Sequence, residues 1–237
     1  MNGDTGPDRL SAVSTMWTVL RQAHGGQPDQ VAQARELLLA RYGGAVRRYL
    51  MKLLRDPHAA DDLTQEFAIR LVTGKFHAAD PERGRFRNYV KTSLFHLVSA
   101  HARDRRKRPE PVAPDQGPLA GLAAPEEDES AFQESWRAEL LARTWTALAD
   151  ANPGYHLVLR MRAENADASS DVLAERLAEK TGRPMTAANV RQALHRAREL
   201  FASLLQEEVA HTLTDPTTDA VESELADLQL LRYMKTG

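Results

Sequence analysis

Apolar residues recur at spacings of three and four along almost the whole chain, and no run alternates β-branched with polar residues over a strand's length. Val31, Ala34, Leu38, Tyr42, Ala45, Tyr49 and Leu53 lie on one face of a long helix. Gly43 and Gly44 interrupt that face at its middle, where glycine weakens a helix, so a bend or break is expected there. Asp56 before Pro57 reads as an N-cap with proline in the first turn, opening a second helix to about Val72. Gly74, Asp80–Pro81 and Gly84 read as a loop. A third helix carries Phe86, Tyr89, Val90, Leu94, Leu97 and Val98 inward and runs into the basic cluster HARDRRKR at 101–108.

Pro109 ends that helix. Residues 109–130 hold five prolines, two glycines and the acid run EEDE at 126–129. Such a stretch buries too little apolar surface to offset its ordering entropy, so a flexible acidic, Pro-rich linker is expected. The fold class that follows is all-α, two small helical domains on a tether. The expected boundaries are an N-terminal extension with a short helix (1–29), a first domain (30–108), the linker (109–135), a second domain (136–208) and an acidic C-terminal extension (209–237).

The second domain opens with a helix bearing Trp136, Leu140, Leu141, Trp145 and Leu148. Asn152-Pro153-Gly154 is a turn, followed by a short helix over 155–162. Ser169-Ser170-Asp171 caps a helix that ends near Gly182 and Pro184, and Thr186 caps a last long helix with Val190, Leu194, Phe201 and Leu205 inward. A helix, a turn and a second helix with a basic outer face is a helix-turn-helix pattern. In the extension, Val221, Leu225, Leu228 and Leu231 form an apolar stripe that needs a surface to bury it.

The 237 residues contain 31 Lys+Arg, 33 Asp+Glu and no cysteine. Lack of cysteine excludes a disulfide scaffold, a thiolate zinc site and a cysteine nucleophile. No apolar run is long enough for a transmembrane helix, and the first residues lack a basic start followed by an apolar stretch, so a cytoplasmic protein without membrane insertion is expected. The near-neutral total hides segregation. Nine Lys/Arg and one acid fall between Arg83 and Arg108, and four Arg with no acid between Arg183 and Arg198. Seven acids with no Lys or Arg fall between Pro109 and Ser135, and seven acids against two basic residues from Gln206 onward. Two basic surfaces, an acidic connector and an acidic tail result.

No phosphate-binding glycine loop, nucleophile elbow or HExxH spacing is present, so neither a catalytic site nor a cofactor nor a metal is expected. Asp61, Asp62 and Glu66 place carboxylates close together on a helix, which leaves a metal- or diphosphate-dependent enzyme as one alternative. The last helix is more telling. Asn189, Arg191, Gln192, His195 and Arg196 face outward near its start, and Arg, Asn and Gln are the side chains that pair with base edges in the major groove. The third helix combines Phe86, Tyr89, Phe95 and His96 with Arg85, Arg87 and Lys91, a mixture suited to single-stranded nucleic acid. A helix-turn-helix regulator that binds duplex DNA without polymerase is a second alternative.

The wording and order of these segments resemble bacterial RNA polymerase sigma factors of the sigma-70 family, extracytoplasmic-function (ECF) type. DDLTQEFAIRL (61–71) resembles their region 2.2, GRFRNYVKTSLFHLVSAHARDRRKR (84–108) regions 2.3 and 2.4, and VRQALHRARELFASLL (190–205) the end of region 4. TMWTVLRQA (15–23) and the closing extension are similar to a subgroup with a C-terminal extension. The resemblance implies a region 2-like bundle and a region 4-like helix-turn-helix that bind core RNA polymerase at the β′ clamp and β flap, recognise −10 and −35 promoter elements and promote melting. It implies that Asp61, Asp62, Gln65 and Glu66 dock on polymerase. It assigns Arg85, Arg87, Asn88, Lys91, Phe95, His96, Arg103, Arg105 and Arg106 to the −10 strand, and Thr186, Ala188, Asn189, Arg191, Gln192, His195 and Arg196 to the −35 duplex. An anti-sigma factor or other regulator is a further implied partner.

Overall fold

The periodicity is realised as helices, and no strand occurs among the residues described. The computed structural model describes residues 16–25, 27–73, 85–107 and 125–234. In order these hold α1 (Met16–Gly25), α2 (Pro28–Leu54), α3 (Pro57–Val72), α4 (Phe86–Lys107), α5 (Pro125–Ala151), α6 (Pro153–Glu164), α7 (Ser170–Thr181), α8 (Ala187–Ala210), α9 (Thr218–Asp227) and a 3-10 turn (Leu231–Tyr233). The expected loop over 74–84, Arg108 and most of the expected linker lie outside the described residues. The chain divides into two units, Met1–Glu139 with Ala210–Ala220, and Leu140–Val209 with Val221–Gly237.

In the first unit, α2 buries Ala34, Leu38, Tyr42, Ala45 and Tyr49 of the stripe read from the sequence, together with Val46 and Leu50, while Val31 and Leu53 at its ends are half-buried. The expected bend or break at Gly43–Gly44 is not a break; α2 continues through both glycines. Gly44 serves close approach instead. A Cβ there would stand 2.5 Å from Glu139 Oε2, so a larger residue would make the end of this α5 side chain shift. Asp56 caps α3, its carboxylate accepting from the backbone of His58 (3.0 Å) and Ala59 (3.2 Å), with Pro57 in the first turn. The inward faces of α3 (Leu63, Phe67, Leu71) and α4 (Phe86, Val90, Leu94, Leu97, Val98) complete this core.

Helix α5 departs from expectation. It begins at Pro125, so residues 125–135, read as linker, are helical. Apolar anchors explain the difference: Phe132 and Trp136 are buried in the first unit, which offsets the ordering cost that Pro and acids alone could not. Phe132 meets Tyr49 edge-on at 5.4 Å, and Trp136 stacks on Tyr42 at 4.9 Å. Trp136, expected to open the second domain, belongs to the first.

In the second unit, the later part of α5 packs on α8 through Trp145 and Phe201, ring centroids 5.1 Å apart, and Arg143 Nε reaches Glu208 Oε2 at 2.8 Å. Asn152 caps α6 by accepting from Tyr155 N at 2.9 Å, and Ser169 caps α7 by accepting from Val172 N at 3.3 Å. Val158, Leu173, Ala174, Leu177, Val190 and Leu194 form one cluster shared by α6, α7 and α8. Val221, Leu225 and Leu228 of the extension are buried as the stripe requires, but Leu231 is exposed and Leu230 fully buried in its place. The helix ends at Asp227 in a left-handed Gln229 (φ 56°), where Leu230 N donates to Leu225 O at 2.7 Å, and this 6→1 bond shifts the register.

Candidate functional site

Three helix faces hold the residues singled out in the sequence. The first is on α3. Asp62 and Gln65 are exposed, and Glu66 is half-buried beside them. Residues spaced by three and four share a helix face, so Asp62, Gln65, Glu66 and Ile69 form one strip. Glu66 is bound along the helix by Arg70 Nε at 2.6 Å. Asp61 turns aside to Arg47 of α2, with Arg47 Nε donating to Oδ1 at 2.6 Å and Nη2 to Oδ2 at 3.4 Å. That guanidinium holds the Asp61 carboxyl below its usual range. Asp61 is thus engaged within the unit while Asp62 and Gln65 remain presented. Ile69, 52 % exposed, was missed in the sequence; its signal was an aliphatic residue on a strip otherwise polar.

The second face is on α4. Asn88, Phe95, His96 and Arg103 are exposed, and Phe95 stands 59 % open with its ring edge-on to His96 at 5.8 Å. Phe86, by contrast, is fully buried against Tyr42 (4.9 Å), and its neighbour Tyr89 is half-buried, its phenol pushed up to about 12 by that burial. Arg87 is buried, at 8 % exposure, on the side of α4 that carries Val90 and Leu94. Lys91 is half-buried and ion-paired with Glu129 of α5. Arg85 precedes the helix, half-buried. Arg105 and Arg106 fall in the last turns of α4, and their side chains lie outside the described residues. Thr92, exposed between Asn88 and His96, was missed; helical periodicity alone would have found it.

The third face belongs to α8. Gly182, left-handed at φ 67°, ends α7 with its N–H on Ala178 O at 2.8 Å, and the turn 182–186 leads to Thr186. Thr186 Oγ1 accepts from Asn189 N at 3.2 Å and so caps α8. Ala188, Asn189, Arg191, Gln192, His195 and Arg196 are all exposed along the first turns, while Val190, Leu194 and Ala197 are buried beneath them. His195 Nε2 stands 3.4 Å from Glu199 Oε1, so this acid marks the end of the basic stretch. A helix start with free polar side chains, no acid in its first turns and its dipole's positive end is suited to an anionic duplex.

Among the described residues no group of three or more His, Cys, Asp or Glu is placed to hold a metal ion, and no helix is long and apolar enough to cross a membrane. No curated protein and no solved structure matches the chain. Residues 38–108, which run from the middle of α2 through α3 and α4, match the family model of Sigma-70 region 2. The segment that presents the first two faces is therefore similar to Sigma-70 region 2.

Proposed function

We propose that this protein is a sigma factor of the extracytoplasmic-function type that binds core RNA polymerase, recognises −10 and −35 promoter elements and promotes their opening. The observation that carries the reading is the region 2 match over 38–108, which covers both the α3 strip and the α4 face. In this reading Asp62, Gln65 and Glu66 meet a basic coiled coil of the polymerase clamp, charge complementarity setting orientation and encounter rate. Asn88, Lys91, Phe95, His96 and Arg103 follow the unpaired −10 strand, a base stacking on the open Phe95 ring and cations tracking phosphates. Asn189, Arg191, Gln192 and Arg196 of α8 read the −35 duplex from its major groove, with Thr186 fixing the start of the helix. No step of this work is catalytic in the factor itself; the energy for opening comes from binding unpaired bases that a closed duplex cannot offer.

Run-off transcription with purified core polymerase on a pool of genomic fragments tests this. Discrete transcripts that depend on the factor are the expected result. Duplex binding with no factor-dependent transcript would instead favour a regulator that acts without polymerase, the reading that α8 alone would support.

A further inference from the structure

The first turns of α5 are strongly acidic, with Glu126, Glu127, Asp128, Glu129, Glu134 and Glu139 all before the unit boundary. Three of these acids pair with cations of the first unit: Glu139 with Arg48, Glu134 Oε2 with Lys52 Nζ at 2.7 Å, and Glu129 with Lys91. Arg48 and Lys52 belong to α2 and to no nucleic-acid face. Lys91 belongs to α4, flanking Asn88 and Phe95. Glu129 and Lys91 are both partly exposed, and the helix fixes where Glu129 stands. Phe132 and Trp136, one and two turns further on, are buried against Tyr49 and Tyr42 and fix the helix's rotation and height. Glu129 is thereby held against Lys91.

We propose that the start of α5 is an intramolecular competitor of the single strand on α4, the Glu129 carboxylate holding the Lys91 ammonium that a strand phosphate takes when nucleic acid binds. The proposal rests on the reading of α4 as a single-strand face and adds a regulatory contact to it. Binding a strand exchanges one anion for another at Lys91, so the free protein discriminates against weakly held, non-promoter single strands. Acids at a helix start also favour the helix dipole, so a purely stabilising role predicts a change in melting temperature and none in binding.

The experiment is fluorescence anisotropy of a labelled single-stranded DNA of about 15 nucleotides with the full chain, at low and at high salt. Glu129→Gln is expected to tighten binding about 2- to 5-fold at low salt, the range of one exposed ion pair, with the gain shrinking as salt rises. Glu134→Gln removes the same charge and one ion pair from the same helix, and it should leave binding unchanged. Lys91→Ala should weaken binding and abolish the effect of Glu129→Gln. Equal gains from Glu129→Gln and Glu134→Gln, or a Glu129→Gln gain that survives Lys91→Ala, would overturn the competitor and leave the α4 reading intact. Absence of single-strand binding by every variant would overturn the α4 reading, and the competitor with it.

Discussion

Trp136 lies nearly parallel to Tyr42, ring centroids 4.9 Å apart and planes 12° from parallel, so a residue just beyond a Pro-rich acidic tract closes the core of the helices that precede that tract. Phe86 reaches the same indole at 6.5 Å, and Phe132 at 5.8 Å. Trp136 is 1 % exposed, and its Nε1 has no hydrogen-bond partner among the described residues. Its contribution is therefore packing. Trp136→Ala should destabilise the first unit by about 3–5 kcal/mol, with Trp136→Phe costing clearly less. Hydrogen exchange checks this: protection should fall in α2 and α4 and hold in α7 and α8.

Two left-handed residues give opposite expectations. Gly182 (φ 67°) ends α7 and sets the turn into α8, and any side chain there is strained, so Gly182→Ala should cost about 1 kcal/mol. Gln229 (φ 56°) already bears that strain at the end of α9, where Gln229 N donates to Ala226 O and Leu230 N to Leu225 O. Gln229→Gly should stabilise by up to about 1 kcal/mol. Thermal unfolding of the two variants should move in opposite directions.

Burial pushes the Tyr89 phenol up to about 12, while its hydrogen bond with Ser93 pulls the other way. The folded chain keeps this proton where the unfolded chain releases it near 10.0, so its share of stability is complete below that pH and is lost as the pH rises toward 12. Tyr89→Phe should be less sensitive than the native protein over that interval, measured as denaturant midpoint against pH. Parallel curves for the two proteins would contradict the assignment.

Arg191 and Gln192 are exposed on α8, whereas Arg198, further along, is half-buried. Arg191→Ala and Gln192→Ala should each cost about 1–3 kcal/mol on the preferred duplex and relax its base preference. Arg198→Ala should weaken all duplexes alike or act on stability only. Competition binding with single-base variants of the selected duplex distinguishes the two patterns.

Much of this was legible in the residues. Helix starts at Pro57 and Ser170 followed from Asp56 and Ser169, because a cap is a local signal. Asn152-Pro153-Gly154 reads as a turn, whereas Asn152 in fact caps a helix that starts at Pro153. The exposure of Ala188, Asn189, Arg191, Gln192, His195 and Arg196 on α8 was legible from the spacing of the buried Val190 and Leu194. What failed were inferences that depend on partners distant in sequence. Gly44 looked like a helix break until Glu139, far along the chain, lay against it. Residues 125–135 looked unstructured because composition does not show that Phe132 and Trp136 have Tyr49 and Tyr42 to pack on. Arg87 is buried beside Val90 and Leu94, which counting charges along the segment does not show.

The central proposal is that the α3 strip, inside the segment that matches Sigma-70 region 2, docks the protein on RNA polymerase, and affinity for purified core enzyme tests it most directly. Asp62 and Gln65 are exposed, so Asp62→Lys with Gln65→Ala should leave the melting temperature within about 2 °C, as surface changes do. The account predicts that this variant binds core enzyme at least about tenfold more weakly than the native chain. Asp61→Asn, which loosens the Arg47 pair inside the unit, should change binding much less. Native affinity in the folded Asp62→Lys, Gln65→Ala variant would contradict the claim.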